Sequence, residues 1–216
     1  MIYDSGIWKE ELKDKILSFK SILDNVDFSL DWYNDDVEDE KGSYWFFIEF
    51  QKFCFYSAVI VRKFIESNRL SIEFTSTNYK VLYFKRKTDK ILTKYNFHSV
   101  DDEYDTDNEF YRQLTLRKIC DLFIHSFIFN PKLIDSIIDP DMPENHEDFL
   151  ENFEIEGISG LYINTDYSKE SEIYFFTIDE IISFFEDACS DRVIATYTNN
   201  ITGVTVNSRN PNYKIK

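Results

Sequence analysis

The sequence predicts an α+β fold, with a helical N-terminal bundle followed by a small mixed β-β-α-β-β C-terminal part. Three observations carry this. Apolar residues recur at helical spacing from Ile7 to Val26 and again through residues 44–69. From Gly157 to Ile178 the pattern becomes short runs of aromatic and β-branched residues around a polar turn. Finally, Thr177 and Glu180 have the spacing of a capping box at the head of another apolar-periodic run.

Taken in order, Ile7, Leu12, Ile16, Phe19, Ile22, Leu23 and Val26 with charges between them read as an amphipathic first helix. Residues 31–43 form an acidic loop whose closing Gly42-Ser43 supplies an N-cap. The helix over 44–69 is apolar nearly all round in its first half, so it needs cover from the core or from a partner chain. Residues 72–86 alternate and predict a strand or short hairpin. The acidic stretch 101–109 leads into a helix expected over 110–128, where acidic residues suit the positive end of a helix dipole. Two prolines in DPDMPENHEDF, residues 139–149, mark the boundary between a helical domain, 1–138, with its β insertion, and an α+β subdomain, 150–216. There 157–166 and 171–178 read as strands, 177–189 as a helix, and 192–198 and 202–208 as a second strand pair around Asn199-Asn200.

Composition narrows the function classes. Forty acidic against 24 basic residues give a net charge of −16, which opposes approach to nucleic acid or an anionic membrane except where cations are locally concentrated. One such concentration is Lys80 to Lys94, where Lys85, Arg86, Lys87 and Lys90 interleave with Tyr79, Tyr83, Phe84 and Tyr95. A lysine-guarded strand edge is the expected reading, with contact to single-stranded nucleic acid as its alternative. The acidic runs over 24–40, 101–109 and 135–156 keep an aromatic-rich protein soluble; gathered on one face they would suit a nucleic-acid mimic or a partner of a basic protein. Three widely spaced cysteines, Cys54, Cys120 and Cys189, form no disulfide framework and no CxxC site, and Cys54 and Cys120 sit in apolar runs as core thiols. With an acidic, amphipathic start in place of a basic-then-apolar leader, this points to the cytoplasm. Glu49, Gln51 and Lys52 interrupt the apolar run 44–61, so a buried helix is expected there and no membrane contact. No dinucleotide, P-loop, zincin or hydrolase motif is present, and no cofactor is expected. The acidic run 101–109 lacks the glycine of a calcium loop, and His146 among Glu144, Glu147 and Asp148 has no metal-site spacing; both read as solvated loops, with no metal.

The remaining chemistry centres on LTLRKICDLFIHSFIFN, residues 114–130. On one helix, Arg117 and His125 would be offset by roughly 80° and about 12 Å. Lys118 lies nearly on the face of His125, and Asp121, one turn before it, is in reach of the imidazole. Such a carboxylate would orient His125 and raise its pKa, the arrangement of a general acid or base; the alternative is a core histidine satisfied by Asp121.

The pairing of the 44–69 helix, carrying Arg62-Lys63, with a 110–128 helix ending in Ile124-His125-Ser126 resembles the HEPN class of small helical domains, found in prokaryotic toxins and defence systems. The resemblance covers residues 44–130. It implies a metal-independent ribonuclease site at a dimer interface, built from an arginine, a polar residue and a nearby histidine. Arg117 and His125 would fill those roles, with His125 assisting attack by a ribose 2′-hydroxyl and a cation stabilising the phosphorane-like transition state. Seven residues separate Arg117 from His125, more than the class uses, and Lys118 stands where it has Asn, Asp or His. Lys118 and Arg62 are therefore the alternative cations, RNA the implied substrate, and a second copy or a protein partner the expected cover for the aromatic 44–69 helix.

Overall fold

The first periodic run forms α1, Ser5–Asn25, which buries Leu12, Ile16 and Phe19. The second forms α2, Ser43–Glu66, with Gly42 as its N-cap. In this computed structural model the described residues are 5–28, 42–93, 99–136, 154–199 and 201–213; the acidic loop over 31–41, Lys94 and Tyr95, and the 139–149 boundary with its His146 cluster lie outside them. One face of α2 closes over α1 through aromatic rings. Phe19 stacks on Phe53 with centroids 4.2 Å apart, and Phe53 meets Phe185 edge-on at 5.6 Å. Tyr44 and Phe55 on the other face are exposed, as is Tyr56 at the edge beside Lys15 of α1.

The stretch 72–86 is not strand throughout. Ser71 caps a short helix, α3, Ile72–Thr75, its hydroxyl accepting from the Phe74 N–H, and β1 starts only at Asn78–Lys85. A four-residue helix, α4, Val100–Glu103, follows. The expected helix over 110–128 is corrected: it divides into β2, Phe110–Thr115, a nine-residue helix α5, Leu116–Ile124, and β3, Ser126–Ser136. Thr115 starts the helix by accepting from the Lys118 N–H, and His125 ends it, donating its backbone N–H to Asp121 O at 3.0 Å. On either side of these caps the backbone gains more from pairing with neighbouring strands than from continuing the helix.

The C-terminal part has the expected β-β-α-β-β order: β4, Glu154–Thr165; β5, Glu172–Thr177; α6, Ile178–Ser190; β6, Ala195–Thr198; β7, Thr205–Ser208. The Thr177–Glu180 capping box forms as the sequence predicts. However, β4 and β5 do not make a sheet of their own. They are central in a five-stranded antiparallel sheet of order β2-β1-β5-β4-β3, which takes strands from both sides of residues 139–149. β6 and β7 form a separate hairpin, with Gly203 at φ 69°, a left-handed conformation open to glycine.

Because side chains alternate across a strand, the sheet supports two cores. Val81, Leu161, Ile163 and Phe176 face α2, α5 and α6 in the main core. Phe84, Ile128, Tyr162 and Ile173 face the other way, against Leu92, Val100 and Tyr104.

The thiols fit these cores. Cys54 and Cys120 are fully buried, and burial holds Cys54 well above the usual thiol range and pushes Cys120 up to about 12. Burial pushes half-buried Cys189 up to about 11. A disulfide-exchange reagent at pH 8 is therefore expected to label Cys189 slowly, and Cys54 and Cys120 only after unfolding. Labelling of all three at the rate of a free thiol would contradict this packing.

Candidate functional site

Four of the five sequence-identified residues line one cleft of about 450 Å³: Arg62 from α2, and Lys118, Asp121 and His125 from α5 and its C-cap. Leu114 and Leu122 form apolar wall. Tyr174 of β5 and the β4–β5 turn, with Thr165, Tyr167 and Ser168, close the opposite side. The short length of α5 makes this arrangement. Its buried side, Ile119, Cys120 and Phe123, packs into the core, which turns Lys118, Asp121 and the chain exit at His125 toward the cleft.

Arg117 is exposed and does not line the cleft. The histidine is exposed too, and its imidazole makes no hydrogen bond among the described residues. Asp121 does not hold it. The Asp121 carboxylate instead accepts from Arg62 Nη1, across the α2–α5 contact. Arg62 Nε also donates to Glu66 Oε1 at 3.0 Å, and Lys63 reaches Glu66 Oε2 at 2.8 Å. Lys63, and then Arg62, hold the Glu66 carboxyl below its usual range. The two cations facing the cleft thus differ in availability. Arg62 is engaged by two carboxylates, while exposed Lys118 forms no ion pair among the described residues.

The far wall was not legible in the sequence as part of a site. Tyr174 is buried, its hydroxyl donating to Glu172 Oε1 at 2.5 Å and accepting from Arg112 Nη1 at 2.8 Å. Burial first, and then Glu172, push this phenol upward, so Tyr174 stays a neutral hydrogen-bonding group. In the turn, Ser168 Oγ accepts from the Thr165 N–H at 3.1 Å, and Tyr167 projects almost fully into solvent, 98% exposed. The only sequence signal for this wall is the polar Tyr167-Ser168-Lys169-Glu170 turn between two strands.

Chemically, the cleft offers an exposed imidazole for proton transfer, an amine and a guanidinium for anionic oxygen, and a phenol fixed by two partners. Among the described residues no three His, Cys, Asp or Glu side chains gather as a metal-binding group. No described helix is long and apolar enough to cross a membrane. No family model, no curated protein and no solved structure matches the chain.

Proposed function

We propose that the chain is a cytoplasmic, HEPN-like protein of a bacterial toxin or defence type of system, and that its cleft is a metal-independent endoribonuclease site. The observation that carries this reading is the convergence of His125, Lys118 and Arg62, drawn from two separate helices, on one cleft of about 450 Å³, large enough for a nucleotide. His125 is the proton-transfer group, taking the proton of a ribose 2′-hydroxyl as that oxygen attacks the adjacent phosphorus; the bond from phosphorus to the 5′-oxygen breaks, and the 5′-oxygen leaves as a hydroxyl with a proton from solvent in the open cleft. Lys118 is the principal cation for the phosphorane-like transition state, with Arg62 behind it, and Asp121 positions Arg62 and not His125. Arg117, outside the cleft, has no part in the step.

The test is cleavage of a labelled RNA by the purified chain in excess EDTA. The wild type is expected to cleave to 2′,3′-cyclic phosphate ends. His125→Ala is expected to lose on the order of 10²–10⁴-fold in rate, the usual contribution of a positioned acid or base. Wild-type rates from His125→Ala would sink the reading.

A second reading, that of a non-catalytic acidic binding or inhibitor protein, is favoured by a different observation. Tyr44, Phe55 and Tyr56 on α2 are 58%, 49% and 41% exposed, and an aromatic helix face of this kind suits a protein partner or a second copy of the chain. On that reading neither protein cleaves RNA, and the same assay separates the two.

A further inference from the structure

A row of aromatic side chains crosses the helix-side face of the sheet and ends in the cleft. Phe110 on β2, Tyr83 on β1 and Tyr174 on β5 sit opposite one another in register. Their ring centroids are 5.6 Å apart between Tyr83 and Phe110, and 6.0 Å between Tyr83 and Tyr174. Cations are laid on this row. The Arg112 guanidinium lies 4.6 Å from the Tyr83 ring centroid and bonds the Tyr174 hydroxyl, and Lys85 Nζ lies 4.0 Å from the Phe110 centroid. Tyr174 is itself part of the wall of the cleft that His125 and Lys118 also line, so the row ends at that cleft.

We infer that this Phe110–Tyr83–Arg112–Tyr174 row, with Lys85 beside it and Tyr167 at the cleft rim, is a binding track for single-stranded RNA. The inference rests on the reading of the cleft as an RNA site. Charge is the first argument. In a chain of net charge −16, Lys85 and Lys118 form no ion pair among the described residues and flank the two ends of the row. Asp121 and Glu172 are the opposing charges, and each is taken up by an arginine: Asp121 by Arg62, and Glu172 by Arg112, whose guanidinium it holds over the Tyr83 ring.

Shape is the second argument. A planar cation held between a ring and a carboxylate, and 43% exposed, is a ready stacking platform for a base. Tyr167, 98% exposed, is another at the opposite rim. Arg112 and Tyr167 are separate exposed platforms that take the unstacked bases of a single strand, whereas stacked bases of a duplex offer no free faces. A duplex also brings twice the phosphate charge to an acidic protein.

The experiment is fluorescence anisotropy in EDTA of His125→Ala protein with a short labelled oligouridylate, and with its duplex formed on oligoadenylate. Single strand is expected to bind and duplex to bind at least roughly tenfold more weakly. Arg112→Ala and Tyr167→Ala should each weaken single-strand binding on the order of tenfold, the usual effect of removing one stacking partner. Lys85→Ala should lower the salt slope by about 1. Arg112→Lys keeps the charge, and should keep the slope while losing affinity. Lys13→Ala, on the outer face of α1, should change nothing, and unchanged circular dichroism shows that each variant is folded. Duplex bound as tightly as single strand, or Arg112→Ala binding as its parent does, would overturn the track. Cleavage by wild type with an unaltered KM in Arg112→Ala also removes the track and leaves the ribonuclease reading standing. Track-dependent binding without any cleavage does the reverse.

Discussion

Asp191→Ala is expected to cost about 3 kcal/mol, a large share of the roughly 5–15 kcal/mol by which a domain is stable. The residue follows α6, and its side chain is fully buried. Oδ1 accepts from Ser71 Oγ at 2.6 Å and Arg209 Nε at 2.5 Å, and Oδ2 from the Ser71 N–H at 2.6 Å. Its backbone carbonyl accepts from Lys9 Nζ. One residue thus joins α1, the cap of α3, the end of α6 and the strand exit after β7. Truncation leaves the buried Ser71 N–H and hydroxyl without their acceptor, and hydrogen bonds to a charged group are worth more than neutral ones. Arg209, 46% exposed on its side chain, regains water and lessens the loss. Equilibrium urea unfolding should show a lower midpoint with an unchanged m-value, and Asp191→Asn, which keeps one acceptor, should fall between. A midpoint shift equivalent to less than about 0.5 kcal/mol, the range of ordinary surface substitutions, would show that these contacts do not tie the elements together.

Glu103→Ala is the second large effect, at about 3–5 kcal/mol, the cost of stranding a buried charge. Arg86 and Glu103 pair at 2.7 Å with side chains only 6% and 5% exposed. Glu103 Oε2 also accepts from Thr88 Oγ1 at 2.7 Å, and Arg86 lies over the Tyr104 ring at 5.1 Å. Tyr104 is fully buried; its hydroxyl accepts from Asn164 Nδ2 at 2.7 Å and donates to the Lys169 carbonyl at 2.5 Å. This network seals the second core beneath residues 99–104. One Arg86 nitrogen, Nη1, is already buried without a hydrogen-bond partner; when the carboxylate is removed, Nε and Nη2 keep the Thr88 and Lys90 carbonyls but the buried cation loses its counter-charge. The discriminating variant is Glu103→Ala combined with Arg86→Met. Removing both charges should recover part of the loss, because the penalty lies in the unpaired charge more than in the missing attraction. If the double variant is as unstable as the sum of the singles, the two residues are not coupled as the geometry requires.

The candidate site was legible as a residue list but not as a geometry. His125, Lys118, Asp121 and Arg62 could be picked out because charged and polar residues inside an apolar run are conspicuous. The local rule then pairs Asp121 with His125, four residues away. In the folded chain, Arg62 reaches Asp121 across 59 positions of sequence. A guanidinium from a neighbouring helix outcompetes an imidazole that sits at a helix end and points to water. The far wall, Tyr174 with Arg112 and the Tyr167 turn, comes from strands whose residues carry no motif.

Residues 110–136 show the same limit in the fold. The aromatic and aliphatic residues of 110–128 fit a helical period, yet only Leu116–Ile124 is helical. Phe110–Thr115 pairs with β1, and Ser126–Ser136 with β4. What the sequence by itself determined is whatever consecutive residues decide among themselves: the periodic helices α1 and α2, the Thr177 capping box, the alternation of β4 and β5, and the apolar setting of Cys54 and Cys120. Only the tertiary structure decided which strands share a sheet, which carboxylate holds which cation, and where His125 opens. Those outcomes depend on hydrogen-bonding and charged groups satisfied by partners far along the chain, and spacing along one segment contains no record of which distant segment will supply them.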